Sequence, residues 1–143
     1  MSRGRPLRWG GSASFWGGAI CMTIRKKAMR EHVMNLCTAH DIELSWCRRP
    51  TEAWAAIDLD EICIAPIRSD KSYSTALHEI GHIKGRHQRS RDSLVRERWA
   101  WVWAHANALI WTPRMERNRR ESLVYATQNR HAVPVVTTWR TAA

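Results

Sequence analysis

Ala76-Leu77-His78-Glu79-Ile80-Gly81-His82-Ile83 sets the frame in which the rest of the chain is read. Residues four apart on a helix share a face, one turn above the other. His78 and His82 therefore offer two imidazole nitrogens to a single point, which suits a metal ion about 2 Å from each. Glu79 comes one residue after His78 and lies beside that ion, within reach of a bound water, as the H-E-x-x-H pattern requires. Leu77, Ile80 and Ile83 give the same helix an apolar side to bury. Ser72-Tyr73-Ser74 offer N-caps just upstream. The expectation is a helix from about Ser72 to Lys84, closed by Gly85 as a left-handed C-cap. The competing reading, a solvated helix that happens to carry two histidines, leaves Glu79 and the apolar side unexplained.

Upstream, three short segments read as strands. Ile42 to Cys47 alternates apolar and polar residues until Arg48-Arg49-Pro50-Thr51 breaks it. Trp54 to Leu59 resumes, Asp60-Glu61 turns, and Ile62 to Ile67 forms a partner. Pro66 cannot donate to a ladder, which places this last strand at a sheet edge. Ile62, Cys63, Ile64 and Ala65 then become candidates for aligning an extended peptide by strand addition. Before the strands, Ile24, Ala28, Met29, Val33, Leu36 and Cys37 mark an amphipathic helix from Thr23 to about Ala39. Residues 1–21 are rich in glycine and serine without a sustained period, so they read as a disordered tail. Met22 is a candidate for the true start.

Downstream, a long helix is expected from about Asp92 to Trp111, with Val95, Trp99, Val102, Ala106, Leu109 and Ile110 on its core stripe. Pro113 then opens a third helix, Arg114 to about Asn129. The ordered domain spans 22–130, and 131–143 is a tail. The fold class is α+β: a small antiparallel or mixed three-stranded sheet with an N-terminal helix, a metal-site helix pair and a C-terminal helix.

A catalytic metal needs a third protein ligand and an open position. His87, Glu97, His105, Glu116 and Glu121 are within range downstream. Gly85 suits the pattern H-E-x-x-H-x-x-G-x-x-H, but Gln88 occupies its last histidine place and His87 falls one residue early. Glu97 is the stronger candidate. It starts the second helix fifteen residues after His82, where a helical hairpin brings it back over the metal helix. Ala100 and Ala104 on its flank permit close approach.

At 143 residues the chain supports one modest core. Its 44% hydrophobic and 25% charged residues are ordinary for a globular protein, and nine tryptophans point to an aromatic core. No apolar run reaches membrane-span length, and the N-terminal stretch lacks a signal-peptide core, so a cytoplasmic location is expected. Cys21, Cys37, Cys47 and Cys63 form no C-x-x-C pair and read as free thiols. The net charge of +10 is dispersed. It reads as a solvated basic surface rather than a DNA-reading face.

The run from Thr75 to His82, followed by Glu97 to Ala104, resembles the ImmA/IrrE family of small zinc metallopeptidases, many of them encoded by phages and mobile elements. That family carries H-E-x-x-H on one helix and a glutamate ligand in an E-x-x-A setting on the next. The resemblance extends over roughly residues 22 to 125. The gap to the glutamate is short here, and no repressor-type DNA-binding segment is attached.

The resemblance implies one zinc ion per chain held by His78, His82 and Glu97, Glu79 as general base, and a protein substrate such as a transcriptional repressor. Manganese or iron also suits such a ligand set. Tyr73, His87, His105 and Tyr125 are the candidate transition-state donors. Two alternatives stand beside this reading. One is a non-proteolytic, zinc-stabilised DNA-associated regulator; the other is a SprT-like protease acting on DNA-bound protein.

Overall fold

The computed structural model describes residues 15–130, with side chains from Met22 onward. Helix α1 (Phe15–Ala39) leads into strand β1 (Glu43–Trp46), a 3-10 turn (Pro50–Glu52), β2 (Trp54–Ala56) and β3 (Glu61–Ile64). Helices α2 (Asp70–Lys84), α3 (Ser93–Asn107) and α4 (Pro113–Gln128) follow. The fold is α+β, with a mixed three-stranded sheet.

Helix α1 starts at Phe15, eight residues ahead of Thr23, so part of the stretch read as a tail is helical. Gly17 and Gly18 each cost a helix only about 1 kcal/mol relative to alanine, and no proline interrupts the run. Residues 1–14 and 131–143 lie outside the described residues. Met29, Val33 and Cys37 repeat every fourth residue and are the part of α1 that enters the core; Ile24 and Ala28, expected on the same stripe, are exposed.

The strand order is β1-β3-β2. Strand β3 is therefore central, parallel to β1 and antiparallel to β2, with Ser45 and Trp54 both opposite Cys63. This overturns the edge position expected for it. The ladder ends at Ile64, so Pro66 lies beyond the last hydrogen-bonded residue and never has to donate. Ile62, Cys63, Ile64 and Ala65 are buried and cannot align a peptide. The outer strands are β1 and β2.

Helix α2 begins two residues earlier than expected, because the cap is Ser69. Its Oγ accepts from the Ser72 backbone N–H, and the Ser72 Oγ accepts from the Ser69 N–H, a reciprocal capping box. At the other end Gly85 is extended (φ −68°, ψ 163°), not left-handed. Its need is space: a Cβ there would lie 2.5 Å from the Gly81 carbonyl oxygen and 3.0 Å from that of Trp99. The left-handed residue is His87, at φ 58°.

Helix α2 is the centre of the molecule. Leu77, Ile80 and Ala76 are fully buried against β3, α1 and α4 residues including Ile62, Val33 and Met115. Helix α3 packs on it through a stripe that differs from expectation. Leu94, Ala100, Trp101 and Ala104 are buried, whereas Val102, Leu109 and Ile110 are exposed and Ala106 faces solvent. Gly81 and Ala100 explain the choice. A Cβ on Gly81 would stand 2.3 Å from the Ala100 carbonyl oxygen, so the two helices touch backbone to backbone. Only small residues fit that line.

Helix α3 stops at Asn107, four residues before Trp111. The chain then runs extended, and the Leu109 N–H donates to the Tyr73 hydroxyl. Thr112 caps α4, with Pro113 in its first turn. Arg114, Arg117 and Arg120 form an exposed stripe, as their spacing suggests.

Candidate metal centre

Three side chains from two helices meet at the α2–α3 seam. His78 Nε2 lies 2.7 Å from Glu97 Oε2, and His82 Nε2 lies 3.0 Å from Glu97 Oε1. The two imidazole centroids are 4.4 Å apart. The i, i+4 spacing on α2 supplies both nitrogens. The backbone contact at Gly81, the residue just before His82, brings α3 close enough for Glu97, the fifth residue of that helix, to span them.

The electrostatics agree with the geometry. Burial works against the imidazolium of His82, yet the charge and hydrogen bond of Glu97 raise its pKa to about 9. Burial would raise the Glu97 carboxyl, but the neighbouring His78 and His82 hold it well below the usual carboxylate range. In this form protons bridge the three groups.

The donor set fits a metal ion. One nitrogen from each histidine and one carboxylate oxygen all lie within 4.8 Å of one another. Zinc distances of about 2.0–2.2 Å place tetrahedral ligand atoms roughly 3.3 Å apart, so exchanging the bridging protons for one ion requires the side chains to part only slightly.

Each histidine is held from behind. The His78 ring stacks on Trp101, with centroids 4.3 Å apart and planes 12° from parallel, and the Trp101 Nε1–H donates to Ser122 Oγ on α4. His82 Nδ1 faces Gln88 Oε1 at 2.9 Å. Neither Trp101 nor Gln88 stood out in the sequence as a site residue. A tryptophan inside an amphipathic helix reads as core, and glutamine carries no ligand signal.

A cleft of about 550 Å³ opens at the centre. His78, Glu79 and Glu97 line it beside Pro50, Thr51 and Ala53 from the approach to β2, and α4 contributes Asn118, Ser122 and Tyr125. Glu79 is 8% exposed and lies 3.7 Å from His78 Nδ1. Lys71, Thr75, Ser93 and Arg96 complete the polar lining.

Of the four candidate donors, only Tyr125 reaches this cleft; it is 66% exposed. The Tyr73 hydroxyl is buried between His32 Nδ1 and the Leu109 N–H, so it ties α1 to the α3–α4 link. His87 packs on Trp99 and His105 on Trp111, both outside the cleft lining. Among the other ligand candidates, Glu116 accepts from Arg119 and from Trp111 Nε1, and Glu121 lies on the outer surface of α4.

Among the described residues, no helix is long and apolar enough to cross a membrane. Comparison with known protein families, with curated proteins and with solved structures finds no match. None of these comparisons supports the resemblance to ImmA/IrrE metallopeptidases expected from the sequence.

Proposed function

We propose that the chain is a zinc-dependent endopeptidase, with one zinc ion held by His78, His82 and Glu97 and a protein as substrate. The supporting observation is the place of Glu79. Its buried carboxylate lines the cleft beside His78 and Glu97 but is not needed to complete the three-ligand set. A carboxylate so placed suits a general base, and a purely structural metal site has no use for one.

Bound zinc supplies Lewis acidity and draws the pKa of its water toward about 7. Glu79 accepts the proton of the attacking water and returns it to the leaving amine. Tyr125, an exposed hydroxyl in the cleft lining, is the candidate to meet the developing oxyanion. Strand β2 has a partner strand on one side only and follows directly on the cleft residues Pro50 to Ala53. An extended substrate that adds to its outer edge would pass the metal. A repressor as substrate is suggested by the ImmA/IrrE resemblance and by nothing else. The SprT-like alternative wants a histidine as third ligand, where this chain offers Glu97.

The test is cleavage of an unfolded protein by the zinc-loaded chain, with products read by mass spectrometry. The expected result is cutting by wild type and a loss of roughly 10²-fold or more in Glu79→Gln that still binds zinc. Equal cutting by Glu79→Gln would contradict the assignment. A zinc-loaded protein that cuts nothing but binds DNA with a steep salt dependence would favour the regulator instead.

A further inference from the structure

The turn after the metal helix contains a side chain with no evident surface role. Gln88 is 7% exposed, and all of its polar capacity points inward. Its Nε2 donates to the Arg96 carbonyl at 2.9 Å and to the Arg86 carbonyl at 3.1 Å. Both amide hydrogens are thereby committed to acceptors, which leaves Oε1 to face His82 Nδ1 at 2.9 Å. An amide oxygen can only accept, so His82 Nδ1 must carry a hydrogen and donate it. Nε2, which faces Glu97 Oε1 at 3.0 Å, is then the ring nitrogen that gives up its hydrogen when a metal ion takes its place.

The backbone is shaped to make this contact. His87 takes a left-handed φ of 58°, a conformation uncommon for a non-glycine residue, and its ring lies against Trp99. That reversal turns Gln88 back under α2. Gly85 is required by the Gly81 and Trp99 carbonyls, which a Cβ would meet at 2.5 and 3.0 Å, and Gln88 Nε2 packs beside it at contact distance. The Arg96 carbonyl belongs to the residue just before Glu97. One side chain therefore holds a ligand of α2 and the backbone beside a ligand of α3.

We infer that Gln88 is a positioning residue of the metal centre: it fixes the tautomer of His82 that presents Nε2 to the ion and locks the turn to the first turn of α3. The inference rests on the metal site proposed above. Outer partners of metal-bound histidines set ring orientation and ligand basicity, and their loss typically lowers metal affinity by about 10–100-fold.

The test is zinc affinity, measured by competition with a chromogenic chelator, for wild type, Gln88→Leu and Gln88→Glu. Nitrogen-15 spectra of the zinc-loaded proteins would report the His82 tautomer and the solvent exchange of its Nδ1 hydrogen. Gln88→Leu removes the acceptor, so affinity is expected to fall about 10–100-fold and Nδ1–H exchange to accelerate. Gln88→Glu keeps an acceptor on Nδ1 but loses both donors to the Arg86 and Arg96 carbonyls, so it should be less stable than wild type yet bind zinc more tightly than Gln88→Leu and retain the slow exchange. Circular dichroism of each variant shows whether it has folded; should Gln88→Leu fail to fold, the Gln88→Glu exchange rate against wild type decides. Gln88→Leu that binds zinc like wild type, or Gln88→Glu that exchanges its Nδ1 hydrogen fast, overturns the role of Gln88 while leaving the three-ligand site standing. Wild type that binds no zinc overturns both.

Discussion

The imidazole of His78 and the indole of Trp101 lie face to face, 4.3 Å apart. The indole is almost fully buried and is itself fixed to α4 through Ser122, so the His78 ring on α2 is positioned by a chain of contacts running through α3 to α4. Trp101→Ala is expected to cost about 3–5 kcal/mol of stability and to weaken metal binding, because the His78 ring loses its wall. Trp101→Phe keeps an aromatic face and loses the hydrogen bond, so about 1 kcal/mol is expected with metal binding retained. Denaturant titration and chelator competition on both variants check this. Undiminished affinity in Trp101→Ala would show that the stacking does not position the ligand.

Gly81 gives a prediction in which two effects oppose each other. Alanine in a helix is favoured over glycine by about 1 kcal/mol. Here, however, the new Cβ would stand 2.3 Å from the Ala100 carbonyl oxygen and 3.0 Å from its Cα, and backbone cannot swing aside as a side chain can. Overpacking of this kind costs about 1–3 kcal/mol. Gly81→Ala should therefore be less stable than wild type, and it should bind metal more weakly because α3 carries Glu97 away from the histidines. Thermal unfolding with and without zinc would separate the two losses.

The pH dependence of the metal-free protein follows from the same three groups. His82 is raised from 6.5 to about 9 in the folded state. A group raised on folding stabilises fully below its unfolded pKa, and that contribution is lost as pH rises through the folded value. The Tm of the metal-free protein should thus decline between pH 6.5 and about 9. Glu97, held low by His78 and His82 against burial, acts in the opposite sense: its contribution is present above the unfolded carboxyl range and lost as pH falls below it. Zinc must displace the His82 proton, so binding near pH 7 should release about one proton per chain. Calorimetry in two buffers of different ionisation enthalpy reads that number, and a value of zero would contradict the proton-bridged site.

The pairing of His78 and His82 was legible in the sequence because helical spacing alone puts them on one face. Glu97 was legible because Ala100 and Ala104 marked the close flank of α3. The rest depended on contacts that no local pattern encodes. Pro66 looked like an edge-strand residue, yet it lies past the end of a central strand. Val102, Leu109 and Ile110 looked like core, yet a backbone-to-backbone seam selected the small residues instead. Gln88 reaches His82 only through a left-handed residue at His87, and a left-handed histidine cannot be anticipated from its neighbours.

The most direct measurement is the metal content of the purified, untagged protein, wild type beside Glu97→Ala and Glu116→Ala, by elemental analysis. Glu97 bridges both histidines, whereas Glu116 is engaged by Arg119 and Trp111. About one zinc per chain is expected in wild type and in Glu116→Ala, and its loss in Glu97→Ala. Zinc retained at full stoichiometry in Glu97→Ala, or no metal bound by wild type after reconstitution, would contradict the three-ligand centre on which the proposed activity stands.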